Sequence, residues 1–302
     1  MKKILSFIAL ITVIACLPGC GGQMIMSDTS MNQPEAVSYQ KFYDELSPYG
    51  RWVDYPGYGY VWSPSEIGFR PYYTNGYWGN TNLGWSWVSE YNWGWAPFHY
   101  GRWFYEGGYG WLWMPGYEWA PAWVSWRNHN DYYGWAPLAP GMGLSANVNI
   151  PFEHWAFIPH ERLNDRNFRN YAVDEHRNEV IYQNSTFINN TGVTNNKIKY
   201  IKGPDVNEVI RYGGGKPINA VVVRDHPQAA KTTYDNTSNE MRVFKPSVKP
   251  PQKTEVIKPR QVTPYKDLPH DNGRRGTFPT PPPTAPTNKP TESKPGGRNG
   301  NG

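Results

Sequence analysis

A Gly-x-Trp triplet recurs along this chain at intervals of 26 and 25 residues: Gly50-Arg51-Trp52, Gly76-Tyr77-Trp78 and Gly101-Arg102-Trp103. Behind each comes a second aromatic run: Gly59-Tyr60-Val61-Trp62, Gly84-Trp85-Ser86-Trp87 and Gly110-Trp111-Leu112-Trp113. Pro71, Pro97 and Pro121 form a third recurrent set, and Gly134-Trp135-Ala136-Pro137 resembles a truncated fourth copy. A fixed period with turn residues between the aromatic runs means one supersecondary unit used repeatedly. Each unit reads as a β-hairpin, turning at Asp54–Gly59, Gly79–Gly84 and Glu106–Gly110. Pairs such as Trp85 and Trp87 are two residues apart and so share one face of a strand. The density of Gly, Pro and aromatic residues argues against helix here.

The expected fold is therefore mainly β, an antiparallel meander of three ~25-residue Trp-rich hairpin repeats. It should have roughly six to eight strands, closed or sandwiched to hide its edges. Residues 49–135 hold 14 of the 15 Trp and 14 of the 22 Tyr. Aliphatic residues are scarce there, so the rings must form the core. Each buried Trp removes about 150–250 Å² from water, worth about 4–6 kcal/mol at ~25 cal/mol/Å². A span of about 90 residues buries only some two-thirds of its surface, so part of this ring set is expected to stay outside. The recurrent Trp52, Trp62, Trp78, Trp87, Trp103 and Trp113 are assigned to the core. The non-recurrent Trp93, Trp95, Trp119, Trp123 and Trp126 are the candidates for an outer, ligand-stacking surface.

The flanks differ from this zone. The opening MKKILSFIALITVIACLPGCGG has two lysines, an apolar run and small residues before cysteine. That is the pattern of a secretory signal, too short to span a membrane, ending at a lipid-attachment cysteine. Cys20, preceded by Gly19, is the favoured acceptor and Cys16 the alternative. With no other cysteine, an internal disulfide and a thiolate metal site are excluded from the mature chain. Residues 1–20 are read as a lipoprotein signal peptide, 21–36 as a flexible tether, and 37–140 as the repeat domain with a short helix over 37–46. Residues 141–225 are read as a β-rich, β-α-β extension, and 226–302 as a disordered basic tail. In the extension, 155–159, 180–184, 186–190, 197–201 and 218–223 are expected strands, and Asp205 caps a helix over 206–212. From Pro246 onward there are 13 prolines and few large apolar residues, too few to offset ordering entropy. Residues 242–302 carry 12 Lys and Arg against 4 Asp and Glu, a net +8, so with +5 overall residues 1–241 carry −3. The basic balance belongs to the tail, and nucleic acid is not an expected partner.

Residues 46–53 (LSPYGRWV), 57–64 (GYGYVWSP), 93–103 (WGWAPFHYGRW) and 119–127 (WAPAWVSWR) also resemble an uncharacterised family of Trp- and Gly-rich bacterial envelope proteins, a domain of unknown function. The resemblance runs from about residue 42 to 223, because Asn189-Asn190-Thr191 and Gly203-Pro204-Asp205-Val206 share it. It implies export and a β-rich fold. It brings no activity, cofactor or catalytic residue.

Chemistry-bearing patterns are sparse. Asp54, Glu66, Glu90, Glu106, Glu118 and Asp131 could supply paired carboxylates, but most fall in expected turns. His154, His160 and His176 lack the spacing of a zinc-protease helix, and Gly213-Gly214-Gly215-Lys216 reads as a helix end rather than a phosphate loop. The expectation is a non-catalytic envelope lipoprotein acting as a structural or protein-interaction module, without cofactor or metal. The alternative is a glycan- or peptidoglycan-binding module in which exposed Trp and Tyr stack on sugar faces and Arg51, Arg102 and Glu118 make polar contacts. The expected partners are the membrane, through the lipid anchor, and a cell-wall glycan or an envelope protein.

Overall fold

The structure is a computed structural model that describes residues 36–145, 149–250 and 257–270. All of them fall in one unit that begins at Pro34. The expected signal peptide, Cys16, Cys20 and nearly all of the tether lie outside the described residues.

Helix α1 (Gln40–Leu46) comes first, with Phe42, Tyr43 and Leu46 buried on one face, and it tightens into a 3-10 turn over Ser47–Tyr49, where Pro48 has no N–H to continue the α-helical ladder. Four hairpins follow: β1 (Gly50–Tyr55) with β2 (Gly59–Pro64), β3 (Gly76–Thr81) with β4 (Gly84–Ser89), β5 (Arg102–Glu106) with β6 (Gly110–Met114), and β7 (Val124–Asn128) with β8 (Tyr132–Pro137). Then come β9 (Ala156–Pro159), α2 (Asn178–Gln183), β10 (Thr186–Phe187), β11 (Thr191–Val193), β12 (Lys199–Ile201) and α3 (Val206–Tyr212). The remaining strands are β13 (Val222–Asp225), β14 (Thr233–Asp235), β15 (Glu240–Val243) and β16 (Thr263–Pro264). The fold is mainly β, built of several antiparallel sheets.

Every hairpin sets one Trp directly across from another: Trp52 opposite Trp62, Trp78 opposite Trp87, Trp103 opposite Trp113, and Trp126 opposite Trp135. A single register bond, Trp62 to Trp113, joins β2 to β6. Four indoles therefore stand in a row across β1, β2, β6 and β5. The hairpin β3–β4 is its own sheet and meets β7–β8 through rings, with the Trp78 centroid 4.6 Å from Trp126 and 5.6 Å from Trp135. The hairpins are thus not laid edge to edge in chain order, as a meander would be: β2 neighbours β6, and β3–β4 packs against another hairpin by its faces.

The Gly-x-Trp spacing has a steric cause. A Cβ at Gly50 would lie 2.5 Å from Trp62 Nε1, one at Gly76 2.5 Å from the Trp87 ring, and one at Gly101 2.8 Å from Trp113 Nε1. The glycine sits two residues before one Trp of the pair and clears the space its cross-strand partner fills. In the first and third hairpins the indole donors are met by carbonyls three residues apart, whereas Nε1 of Trp78, Trp87 and Trp126 has no acceptor among the described residues. Trp52 and Trp62 donate to Tyr43 O and Leu46 O (3.2 and 3.1 Å), while Trp103 and Trp113 donate to Pro97 O and Tyr100 O (both 2.7 Å). The turn 95–100 thus does for the third hairpin what α1 does for the first. Phe98, within that turn, contacts Trp87 and Trp103 (6.0 and 6.2 Å between centroids) and links the two groups of rings.

Three expectations need correction. Residues 180–183 belong to α2, with Asn184 as its C-cap, and not to a strand: Asn178 and Ile181 face inward three residues apart, and Asn178 Nδ2 donates to Trp155 O at 2.6 Å. That helical burial pattern outweighs the strand preference of Val180, Ile181 and Tyr182. There is also no β-α-β unit around α3, because β12 pairs with β11 and β13 pairs with β15. The expected cap is present, with Asp205 Oδ1 accepting from Asn207 N at 2.7 Å.

The third correction concerns where the segment read as a disordered tail, 226–302, begins. Its residues 226–250 and 257–270 are described and packed; 251–256 and 271–302 lie outside the described residues. Strand β15 lies between β13 and β14. Residues 247–249 form a parallel bridge with Val37 (Val37 N to Ser247 O and Lys249 N to Val37 O, both 2.8 Å). Strand β16 pairs in parallel with β1 at the edge of the five-stranded sheet, and Val248 and Leu268 are buried.

Candidate functional site

The candidate stacking rings go mostly into the core. Trp93, Trp95, Trp123 and Trp126 are all buried, and only Trp119 is partly accessible. Of the 15 Trp in the sequence, 14 are buried, including the six recurrent ones. Residues 49–137 do not stand alone: later parts of the chain, among them Ile201, Val209, Val221, Met241 and Val248, pack into the same core. Ring surface left to water is tyrosine, at Tyr49, Tyr117, Tyr171 and Tyr212, whose hydroxyl tolerates it.

The polar candidates are dispersed. Arg51 is exposed on β1, beside a cavity of 430 Å³ that also holds Asp44, Arg260 and Gln261. Arg102 projects from β5 with its guanidinium carbon 3.4 Å from the centre of the Trp123 ring. Burial pushes its pKa down to about 10, with Tyr72 and Glu118 acting in the opposite direction, so it stays charged at neutral pH. Glu118 is exposed between Tyr117 and Trp119.

Trp119 and Glu118 do meet in one place. A cleft of 490 Å³ is walled by Tyr117, Glu118 and Trp119 on one side. The β3–β4 turn (Asn82, Leu83), the β11–β12 turn (Thr194 to Asn196), the end of β13 (Asp225) and Lys245 to Val248 close the rest. Trp119 stacks on the buried His99 ring (5.4 Å between centroids, 15° between planes). Its Nε1 finds no acceptor among the described residues. Lys245 Nζ lies 5.7 Å from the Trp119 ring centre and 3.0 Å from Asp225 Oδ1. Sequence reasoning missed Asn82, Asn195, Asn196, Asp225 and Lys245, which belong to turns, a strand end and a presumed tail. The available signal was the Thr194-Asn195-Asn196-Lys197 string, a tight turn between two strands.

Two histidines are held neutral. His99 donates from Nδ1 to Ala120 O (3.0 Å), and burial pulls its pKa down to about 4 against the pull of that carbonyl. His154, flanked by the Tyr105 and Trp111 rings, is also held at about 4, by burial and then by Arg70. Because the folded pKa lies below the ordinary 6.5, the unfolded chain binds more protons between those values. The stabilisation is complete above pH 6.5 and is lost as pH falls toward 4, with an upper limit of about 3 kcal/mol per ring. Local opening that wets a protonated ring lowers that figure. Calorimetry at fixed ionic strength should show Tm falling by about 5 °C or more from pH 7 to pH 4; a flat profile would contradict both burials. Among the described residues no three His, Cys, Asp or Glu side chains are grouped as metal ligands.

Comparison with known proteins adds one match. The model of a family of unknown function (DUF6600) matches residues 43–142, which takes in α1 from Tyr43 onward and all four hairpins. The match stops well short of the residue 223 reached by the sequence resemblance. No curated protein and no solved structure matches the chain.

Proposed function

We propose that this chain is a non-catalytic lipoprotein of the bacterial cell envelope, one of a Trp- and Gly-rich family, whose folded body works as a structural or protein-interaction module. The observation that carries the reading is the use of the rings. Fourteen indoles are buried, so the aromatic richness goes into a rigid core. A row of solvent-facing Trp, which the glycan alternative required of Trp93, Trp95, Trp123 and Trp126, loses its members. Exposed apolar side chains such as Ile67, Val180 and Val193 are far apart in the chain, in a turn, in α2 and in β11. Export and anchoring rest on the leader sequence. No helix among the described residues is long and apolar enough to cross a membrane; the leader sequence is what assigns attachment to acyl chains on Cys20, with Cys16 as the alternative.

Metabolic labelling with palmitate tests the anchoring. The wild-type chain should be labelled and sediment with membranes, and Cys20→Ser should abolish both. Undiminished labelling of Cys20→Ser, with loss in Cys16→Ser, would move the anchor to Cys16. No label in any form would refute the lipoprotein reading.

A further inference from the structure

We propose that the cleft beside Trp119 is a binding site for a neutral saccharide chain, with Tyr117 and Trp119 as the stacking wall and Asn82, Asn195, Asn196 and Glu118 as hydrogen-bonding groups. It goes beyond the structural or protein-interaction reading by giving the body a saccharide ligand, and it concerns rings other than those now found in the core.

Fixed walls come first. Tyr100 Oη donates to Pro246 O (2.6 Å), Tyr200 Oη to Leu83 O (2.8 Å), and Val223 N to Asn82 Oδ1 (3.0 Å). Thr194 N to Ile198 O (2.9 Å) closes the β11–β12 turn. Four separate parts of the chain are therefore held in place before any ligand arrives, which lowers the ordering cost of binding. The cleft volume, 490 Å³, suits a ligand of two or three sugar rings by the usual range of about 300–1,000 Å³ for small-molecule sites.

The chemistry selects the ligand class. Tyr117 is 49 % exposed, in contrast to the general burial of rings in this protein, and Trp119 is the one indole left partly open. A π-face beside polar groups matches a pyranose, which offers C–H bonds on its faces and hydroxyls at its edge. The Asn82 amide donors remain available because only its Oδ1 is engaged, by Val223 N. Neutral amides and a carboxylate suit hydroxyl groups, which both donate and accept. An anionic ligand fits poorly. Two carboxylates, Glu118 and Asp225, face one ammonium, Lys245, which is already paired with Asp225. A phosphate or nucleotide would meet net negative charge there.

The test is calorimetric titration of the full chain with tri-N-acetylchitotriose and with maltotriose, beside a neutral tetra-alanine peptide and inorganic phosphate. Nitrogen-15 indole spectra are followed in parallel. One or both sugars should bind and shift the Trp119 Nε1–H resonance, assigned through its loss in Trp119→Phe. Trp119→Ala should weaken binding about tenfold or more, and the double variant N195A/N196A several-fold, with Tm of each near the wild-type value. Should Trp119→Ala fail to fold, the indole shift in the wild-type chain and N195A/N196A still decide the matter. Absence of heat and of any indole shift with both sugars at millimolar concentration would overturn the proposal. So would unchanged affinity in Trp119→Ala, or binding of the peptide or phosphate in their place. Palmitate labelling is independent of all these outcomes, so a failed sugar site leaves the anchored-module reading standing.

Discussion

A chain ended after Lys245 is expected to lose about 15 °C of Tm, or to be recovered insoluble, whereas a chain ended after His270 should melt like the full chain. The shorter form forfeits buried Val248 and Leu268, worth about 1.5–3 kcal/mol each. It also forfeits the two backbone bonds to Val37, the Tyr100 to Pro246 bond, and the Tyr265 Oη to Glu106 bond (3.0 Å), at about 0.5–1.5 kcal/mol each. Removing β16 uncovers the β1 edge, and an unpaired edge invites aggregation. The segment packs in an ordered position, so its contacts outweigh its ordering entropy, and a fall of about 15 °C corresponds to a surplus of roughly 5 kcal/mol at about 2–4 °C per kcal/mol for a body of this size. The last of the contacts is made near Tyr109, whose ring stacks on His270 (4.8 Å), so the longer form keeps them. Differential scanning calorimetry of the two forms reads the result. Equal melting temperatures would show that the segment rides on the body without holding it.

A lower Tm for the shorter form would reverse what the tail's composition suggests, and the reason lies in how such a segment binds. Counting apolar residues finds few. Those present, Val248, Ile257, Tyr265 and Leu268, are far enough apart to enter separate sites on a surface already shaped by others. Proline cannot donate to a ladder, yet its carbonyl accepts as well as any, as Pro246 O does from Tyr100. An entropy argument built on one segment alone misses a groove supplied by the rest of the chain. The hairpins were legible for the opposite reason. Gly-x-Trp, a turn and a second Gly-rich run form a local pattern whose geometry, with glycine making room for the cross-strand indole, is complete within about 15 residues. The site was hardly legible at all. Trp119 and Glu118 are named by their neighbours in sequence, but Asn82, Asn195, Asp225 and Lys245 reach the same cleft from four places, and no spacing records that meeting. The pairing of hairpins by faces was hidden likewise, since Trp78 and Trp126 lie in different sheets and touch only by their rings.

Trp123 gives the sharpest test of where the rings lie. Alanine at Trp78, a member of the recurrent set, should cost about 3–5 kcal/mol as a large cavity opens in the core. An outer ring at Trp123 would lose almost nothing on the same change. The structure places Trp123 at 2 % exposure, with its Nε1 donating to His99 O at 3.0 Å, its backbone N–H donating to Tyr72 Oη at 3.2 Å, and Arg102 stacked on its face at 3.4 Å. Trp123→Ala keeps the backbone bond but removes the ring. The His99 carbonyl then keeps only the Ala120 N–H as donor (3.0 Å), and a guanidinium already pressed by burial loses the surface it rests on, adding about 1 kcal/mol or more to the cavity cost. Urea unfolding should therefore rank Trp123→Ala beside Trp78→Ala, each at roughly 4 kcal/mol or more, and both well below a Trp119→Ala chain. A Trp123→Ala variant as stable as wild type would put that ring back on the surface and restore a second stacking wall to the glycan reading. Equal damage from Trp78 and Trp123 would mean that recurrence along the chain does not sort core from surface here, because non-recurrent indoles seal the gaps between hairpins that recurrent ones line.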